Sequence, residues 1–212
     1  MHSENVLNDL RLKYNTICNT PSDINQHIPT FYEYTLTCDS VVECGVRNVV
    51  SSWGFLMGLV NGRDTTDTPR HLTCCDLFRS QQVGLLESVA NNAGIDFEFV
   101  VGNDLKLDLP EADIYFIDTW HVYAHLKREL EVFKTKAKRY IMMHDTTVDA
   151  IYGESLRDGL DIKKQVEESG YPEGEIRKGL KFAIEEFLAE NDDWAIEKVF
   201  TNNNGLTILK RL

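Results

Sequence analysis

Short apolar runs alternate along this chain with longer stretches of helical spacing. The runs are Ser40–Gly45, His71–Asp76, Phe97–Val101, Ile114–Asp118 and Arg139–His144. Each has the length of a buried strand. Between them, Ser51–Val60, residues 79–93 and Val122–Thr135 place apolar residues on one helical face. This strand–helix alternation predicts a parallel sheet with helices on both faces. Ahead of it, Val6, Leu7, Leu10 and Tyr14 predict a helix over 3–15. Ile24, Ile28, Phe31 and Tyr34 predict a second, kinked or split at Pro29. Residues 61–69 read as a polar loop. Leu180–Glu190 reads as a late helix. Trp194–Phe200 and Leu206–Lys210 flank an Asn-Gly connection, a strong hairpin signal. The expected fold is therefore α/β: a seven-stranded, mostly parallel sheet closed by an antiparallel hairpin. We expect one domain over 1–212, with helices in 1–38 and an insertion over 149–176. That insertion is either a lid over a pocket or a surface excursion.

Two strand ends break the apolar pattern. Ile-Tyr-Phe-Ile-Asp118-Thr-Trp-His121 and Tyr-Ile-Met-Met-His144-Asp145 each finish in acid and imidazole. In an open α/β sheet ligands bind at the carboxyl ends of strands. The expected pocket gathers Asp118, His121, His144 and Asp145. Asp118 and Asp145 are hard oxygen ligands suited to Mg²⁺ or Mn²⁺. His121, three residues after Asp118, is placed for a general base, about one turn into the following helix. His144 is either a third ligand or a residue that orients Asp145. The competing reading of the four is helix-capping acids and satisfied histidines. Trp120 reads equally as core or as a stacking surface. His27 is a packing residue or a pocket wall, and His125 reads as an ordinary surface histidine.

Composition narrows the partners. Of 212 residues 34 are acidic and 22 basic, a net charge of −12. That balance argues against nucleic acid or an anionic membrane, because phosphate binding needs basic patches. It leaves small molecules, neutral glycans and proteins, with a homo-oligomer left open. The five cysteines, Cys18, Cys38, Cys44, Cys74 and Cys75, form no C-x-x-C pair. They read as reduced thiols. No run approaches the ~20 apolar residues of a membrane span, and the first residues lack a signal-peptide pattern. A soluble, cytoplasmic protein is expected.

The strand order and local phrases together resemble a known family. Five β-α units, an extra helix and a terminal antiparallel hairpin are similar to the class I S-adenosylmethionine-dependent methyltransferases, from about Ser22 to Leu212. Asp23–Pro29, Val42–Arg47, His144–Thr147 and Asn203–Thr207 resemble the small metal-dependent sugar O-methyltransferases. These are related to proteins labelled cephalosporin hydroxylases and occur in bacteria and large DNA viruses; a viral member would work in the host cytoplasm. The resemblance implies S-adenosylmethionine at Glu43, Gly45, Arg47, Ser51, Asp76, Asp104 and Asp118. Glu43 would take the methionine amine, Asp76 the ribose and Asp104 the adenine side. Arg47 reads as a partner for a cofactor or substrate carboxylate, or as a surface charge. Metal would sit on Asp118, Asp145 and His144, with His121 as base. The implied function is O-methylation of a sugar hydroxyl of a glycan or glycoside, for instance a rhamnose-like deoxysugar. A catechol or antibiotic O-methyltransferase and a non-catalytic binding module are the alternatives. The chain departs from the family at Val49, where a second glycine is usual, and at His144, where the family carries an acid. NAD is disfavoured because G-x-G-x-x-G is absent.

Overall fold

A computed structural model describes residues 4–62 and 69–212. The readings placed on residues 1–3, and on 63–68 of the polar loop, lie outside these residues. The first helix is α1 (Glu4–Asn19). The second splits at its proline, as its sequence predicts. A 3-10 turn (Asn25–His27) leads into α2 (Ile28–Thr35), where Pro29 occupies the first turn and costs no hydrogen bond. The alternating units follow as β1 (Ser40–Cys44), α3 (Ser52–Asn61), β2 (His71–Asp76), α4 (Gln82–Asn92) and β3 (Asp96–Val101). After a second 3-10 turn (Asp104–Lys106) come β4 (Ala112–Ile117), α5 (Tyr123–Phe133) and β5 (Ala137–His144).

Residues 149–179 carry three short helices, α6 (Glu154–Arg157), α7 (Ile162–Ser169) and α8 (Glu173–Arg177). The chain ends in α9 (Leu180–Glu190), β6 (Trp194–Phe200) and β7 (Leu206–Arg211). The sheet order is β3-β2-β1-β4-β5-β7-β6. The first five strands pair in parallel, and β7 enters antiparallel between β5 and β6.

Alternation along the strands divides the core in two. Val41, Cys74, Ile114, Phe116 and Met142 pack against α1 to α4. Val42, Cys44, Tyr115, Ile117 and Met143 pack against α5 and α9. Strand order reverses between β1 and β4, so the connections leaving these strands diverge to opposite faces. That reversal opens a crevice at their carboxyl ends. Gly45 and Asp118 stand at its two lips. Asp118 N–H continues the ladder to the Cys44 carbonyl at 2.8 Å. A Cβ on Gly45 would fall 1.9 Å from the Asp118 carbonyl oxygen, and Gly45 has φ +84. Glycine is needed here for the close approach of two strand ends.

Candidate active site

A cavity of about 650 Å³ occupies the crevice. Its lining includes Gly45, Arg47, Asp76, Asp104, Asp118 and His121 from the expected set. Residues 149–179 contribute Glu154, Gln165, Glu168 and Ser169 to the same cavity, facing Trp120. Trp120 donates its indole N–H to Ser155 Oγ at 3.0 Å and stacks on Tyr171.

The four strand-end residues converge. His121 lies in the irregular linker before α5 rather than on a helical turn. Its Nε2 is 3.0 Å from Asp118 Oδ1, and its Nδ1 is 3.0 Å from both Asp145 Oδ2 and Glu154 Oε2. Asp149, fully buried and held by Arg157 at 2.6 Å, stands 3.9 Å from the same nitrogen. His144 Nδ1 lies 3.2 Å from Asp118 Oδ1 and 3.4 Å from Asp145 Oδ1. Burial disfavours charge at each group, but hydrogen bonding among them outweighs it for three. The Asp118 carboxyl is held well below the usual range by His121 and His144. Both histidines are raised, chiefly through Asp118. Asp145 goes the other way: burial raises it, and its histidine neighbours only partly offset that. Asp145 also has φ +58, so the turn that aims it is strained for a residue with a side chain.

Asp118, His144 and Asp145 each offer a ligand atom within one sphere, 4.8 Å across at most. Asp145 Oδ1 is buried without a hydrogen-bond partner. Two hard oxygens and an imidazole nitrogen converging on an orphaned carboxylate oxygen fit a divalent cation.

Other expected site residues are placed differently. Glu43 is fully buried under the first loop and does not line the cavity; Ser51 Oγ donates to its Oε1, and Cys74 Sγ lies 3.5 Å from Oε2. Ser51 is spent on that bond. Asp76 Oδ2 accepts the backbone N–H groups of Val46 and Arg47, both at 2.9 Å, and so holds the loop itself. Arg47 lines the cavity but pairs with Asp23 at 2.6 Å. The loop reaches its path without the second glycine because Val49 takes φ +58, the conformation a glycine would favour. Asp104 turns its carboxylate to His125 Nε2 at 3.2 Å. His125 is thus no surface residue: it is 4% exposed, because Asp104, Trp120 and Tyr171 pack around its ring. His27 is fully buried, its Nε2 between the carbonyls of Asn202 and Asn203, and its ring packs edge-on to His144 at 5.8 Å.

Glu154, Asp149 and the Asn203 carbonyl, which accepts from His144 Nε2, were not foreseen. The acids lie in a stretch without periodicity. A backbone carbonyl leaves no mark in sequence.

No family model matches the chain, and no curated protein matches it. Solved structures do. An O-methyltransferase from Bacillus cereus in complex with SAH aligns at TM-score 0.57 and 11% identity, covering 99% of this chain and 92% of that one. SAH-bound methyltransferase PaMTH1 from Podospora anserina aligns at 0.55 and 13%, covering 100% and 90%. TomG from Streptomyces achromogenes, an O-methyltransferase of tomaymycin synthesis in complex with SAM, aligns at 0.53 and 14%, covering 99% and 90%. At these identities the likeness is one of fold: the chain has the Rossmann-like fold of these methyltransferases, terminal antiparallel hairpin included.

Proposed function

We propose that the protein is an S-adenosylmethionine-dependent O-methyltransferase that methylates a sugar hydroxyl with the help of a divalent cation. The observation that carries this reading is the convergence of Asp118, His144 Nδ1 and Asp145 beside His121; Asp118 and His121 line the cavity, and His144 and Asp145 lie buried behind them. The SAH and SAM complexes of proteins with this fold support the choice of cofactor.

When bound, S-adenosylmethionine supplies an electrophilic methyl group. A divalent cation on Asp118, His144 and Asp145 would lower the pKa of an acceptor hydroxyl and draw off the carboxylate charge around His121. The chain's own residues do the rest. With Asp118 engaged by the cation, His121 Nε2 would be free to take the acceptor proton, and the Glu154 carboxylate on Nδ1 would stabilise the imidazolium that results. Asn203 and Glu154 fix the two imidazole rings. Residues 149–179 wall the cavity and keep water from the reacting atoms. The lining of Asn103, Gln165, Glu168 and Ser169 beside Trp120 suits a hydroxyl-rich ring.

The test is methyl transfer from labelled S-adenosylmethionine onto a panel of glycosides and catechols, with and without EDTA. Labelled deoxysugar glycosides, lost on chelation and restored by Mg²⁺ or Mn²⁺, are the expected result. Labelling of catechols alone would move the substrate to the small-molecule class. Cofactor binding without transfer to any acceptor would leave a binding module.

A further inference from the structure

A second group of side chains has the geometry of a metal site. Asp104 comes from the turn after β3. His125 and Glu129 stand four residues apart on α5, which puts both on one face of the helix. The three each bring a ligand atom within 4.8 Å of the others, and all three residues are buried. His125 Nε2 is 3.2 Å from Asp104 Oδ1 and 3.6 Å from Glu129 Oε1.

The cluster is unsatisfied as it stands. Asp104 Oδ2, Glu129 Oε2 and His125 Nδ1 are buried and have no hydrogen-bond partner in the protein. Each such group has lost its water without gaining a partner in return. Among the described residues no Lys or Arg pairs with either carboxylate, and His125 is their shared basic partner. A divalent ion would take the place of the proton that two carboxylates and one imidazole in such proximity must otherwise share.

We propose that Asp104, His125 and Glu129 form a second divalent-cation site, separate from Asp118, His144 and Asp145, that takes Zn²⁺ or Mn²⁺. Two carboxylates and one imidazole suit either ion. Charge balances, since the ion offsets both carboxylates and the imidazole binds neutral. Thr119 Oγ1 donates to Glu129 Oε1 at 2.6 Å and would fix that ligand's orientation. The ion would tie the turn after β3 to α5 at the cavity wall, which Asp104 and His125 line. Its role is to brace that wall, and it is independent of whether methyl transfer takes place.

The experiment uses the full chain, stripped by chelation, titrated with Zn²⁺ alone and Mn²⁺ alone. Calorimetry and metal analysis after gel filtration give the stoichiometry. Two equivalents are expected in the wild type. One should remain in the Asp118→Asn, Asp145→Asn double variant, and it should be lost on adding His125→Gln. Glu129→Gln, which keeps the shape of the side chain, should weaken that retained ion at least tenfold, and it serves if His125→Gln does not fold. X-ray absorption on zinc in the double variant should show one imidazole and otherwise oxygen. A double variant that binds no ion overturns the proposal, as does a retained ion indifferent to Glu129→Gln. Retention by the double variant of an ion that Glu129→Gln weakens supports this site whatever becomes of the first one.

Discussion

His144 donates Nε2–H to the backbone carbonyl of Asn203 at 3.0 Å, and this bond decides what its other nitrogen can do. With the proton committed at Nε2, the neutral ring presents a bare lone pair at Nδ1. That lone pair faces the carboxylates of Asp118 and Asp145. Negative groups cannot share that space without a proton or a cation between them. On the proposed reading a cation takes that place, and the turn at Asn203 then presents His144 to it as a ligand rather than as an orienting residue. His144→Gln is expected to weaken Mn²⁺ at this site roughly 10–100-fold. Calorimetry on a protein shown to be folded by circular dichroism checks this; unchanged affinity would remove His144 from the site.

His121→Ala is expected to slow methyl transfer roughly 10²–10⁴-fold, the usual worth of a positioned base. Cofactor affinity should stay within about twofold, because the proposed reading assigns the ring to the acceptor and not to the cofactor. Turnover with saturating acceptor and metal is the measurement, and full activity would refute the proton-transfer role.

The turn that presents the Asn203 carbonyl depends on Gly205. This residue has φ +98, and a Cβ on it would lie 2.3 Å from Thr147 Oγ1 and 2.4 Å from the Thr147 nitrogen. Gly205→Ala should destabilise the fold by at least about 1–3 kcal/mol from backbone strain alone. It should also weaken divalent-ion binding, since His144 loses its fixed acceptor. Thermal melting and the Mn²⁺ titration together test this, and a variant normal in both would show that the turn adapts.

Glu43 makes stability depend on pH. Burial raises its carboxyl from the usual 4.5 to about 7, against hydrogen bonds from Ser51 and neighbours. The folded protein therefore holds a proton that the unfolded chain releases between these values. The stabilisation is complete below about pH 4.5 and is lost as pH rises through 7. Glu43→Gln cannot ionise, so it should gain on the wild type by up to about 3 kcal/mol between pH 5 and 8. Urea unfolding of both proteins at the two pH values gives the difference; a constant offset would mean that Glu43 stays charged.

Much of the frame was legible because burial writes itself into short apolar runs. Each parallel strand ends at or within a residue or two of an acid or glycine that the sequence marks as a boundary. The convergence of Asp118, His121, His144 and Asp145 followed from strand order alone. What escaped has physical reasons. His125 looked exposed because α5 has one apolar stripe, and a single period cannot show that Asp104, Trp120 and Tyr171 close around the other side. Glu43 looked like a ligand because it precedes the loop glycine, yet its place in the strand turns it under the loop toward Ser51. Val49 signalled a different loop path, but its backbone takes the glycine-like conformation at some strain.

The contacts of Asn203 also govern when the site can exist. Beyond His144 this residue accepts Gln26 N–H at 2.8 Å and donates to the Ser22 carbonyl at 2.8 Å, across 177 and 181 positions of chain. Contacts of such long range form late in folding, after the loop between them has closed. A chain still being synthesised has β5 and its histidine well before it has the turn that orders them. Ion uptake at His144 would then mark completed folding, and partly made or mispaired chains would remain metal-poor.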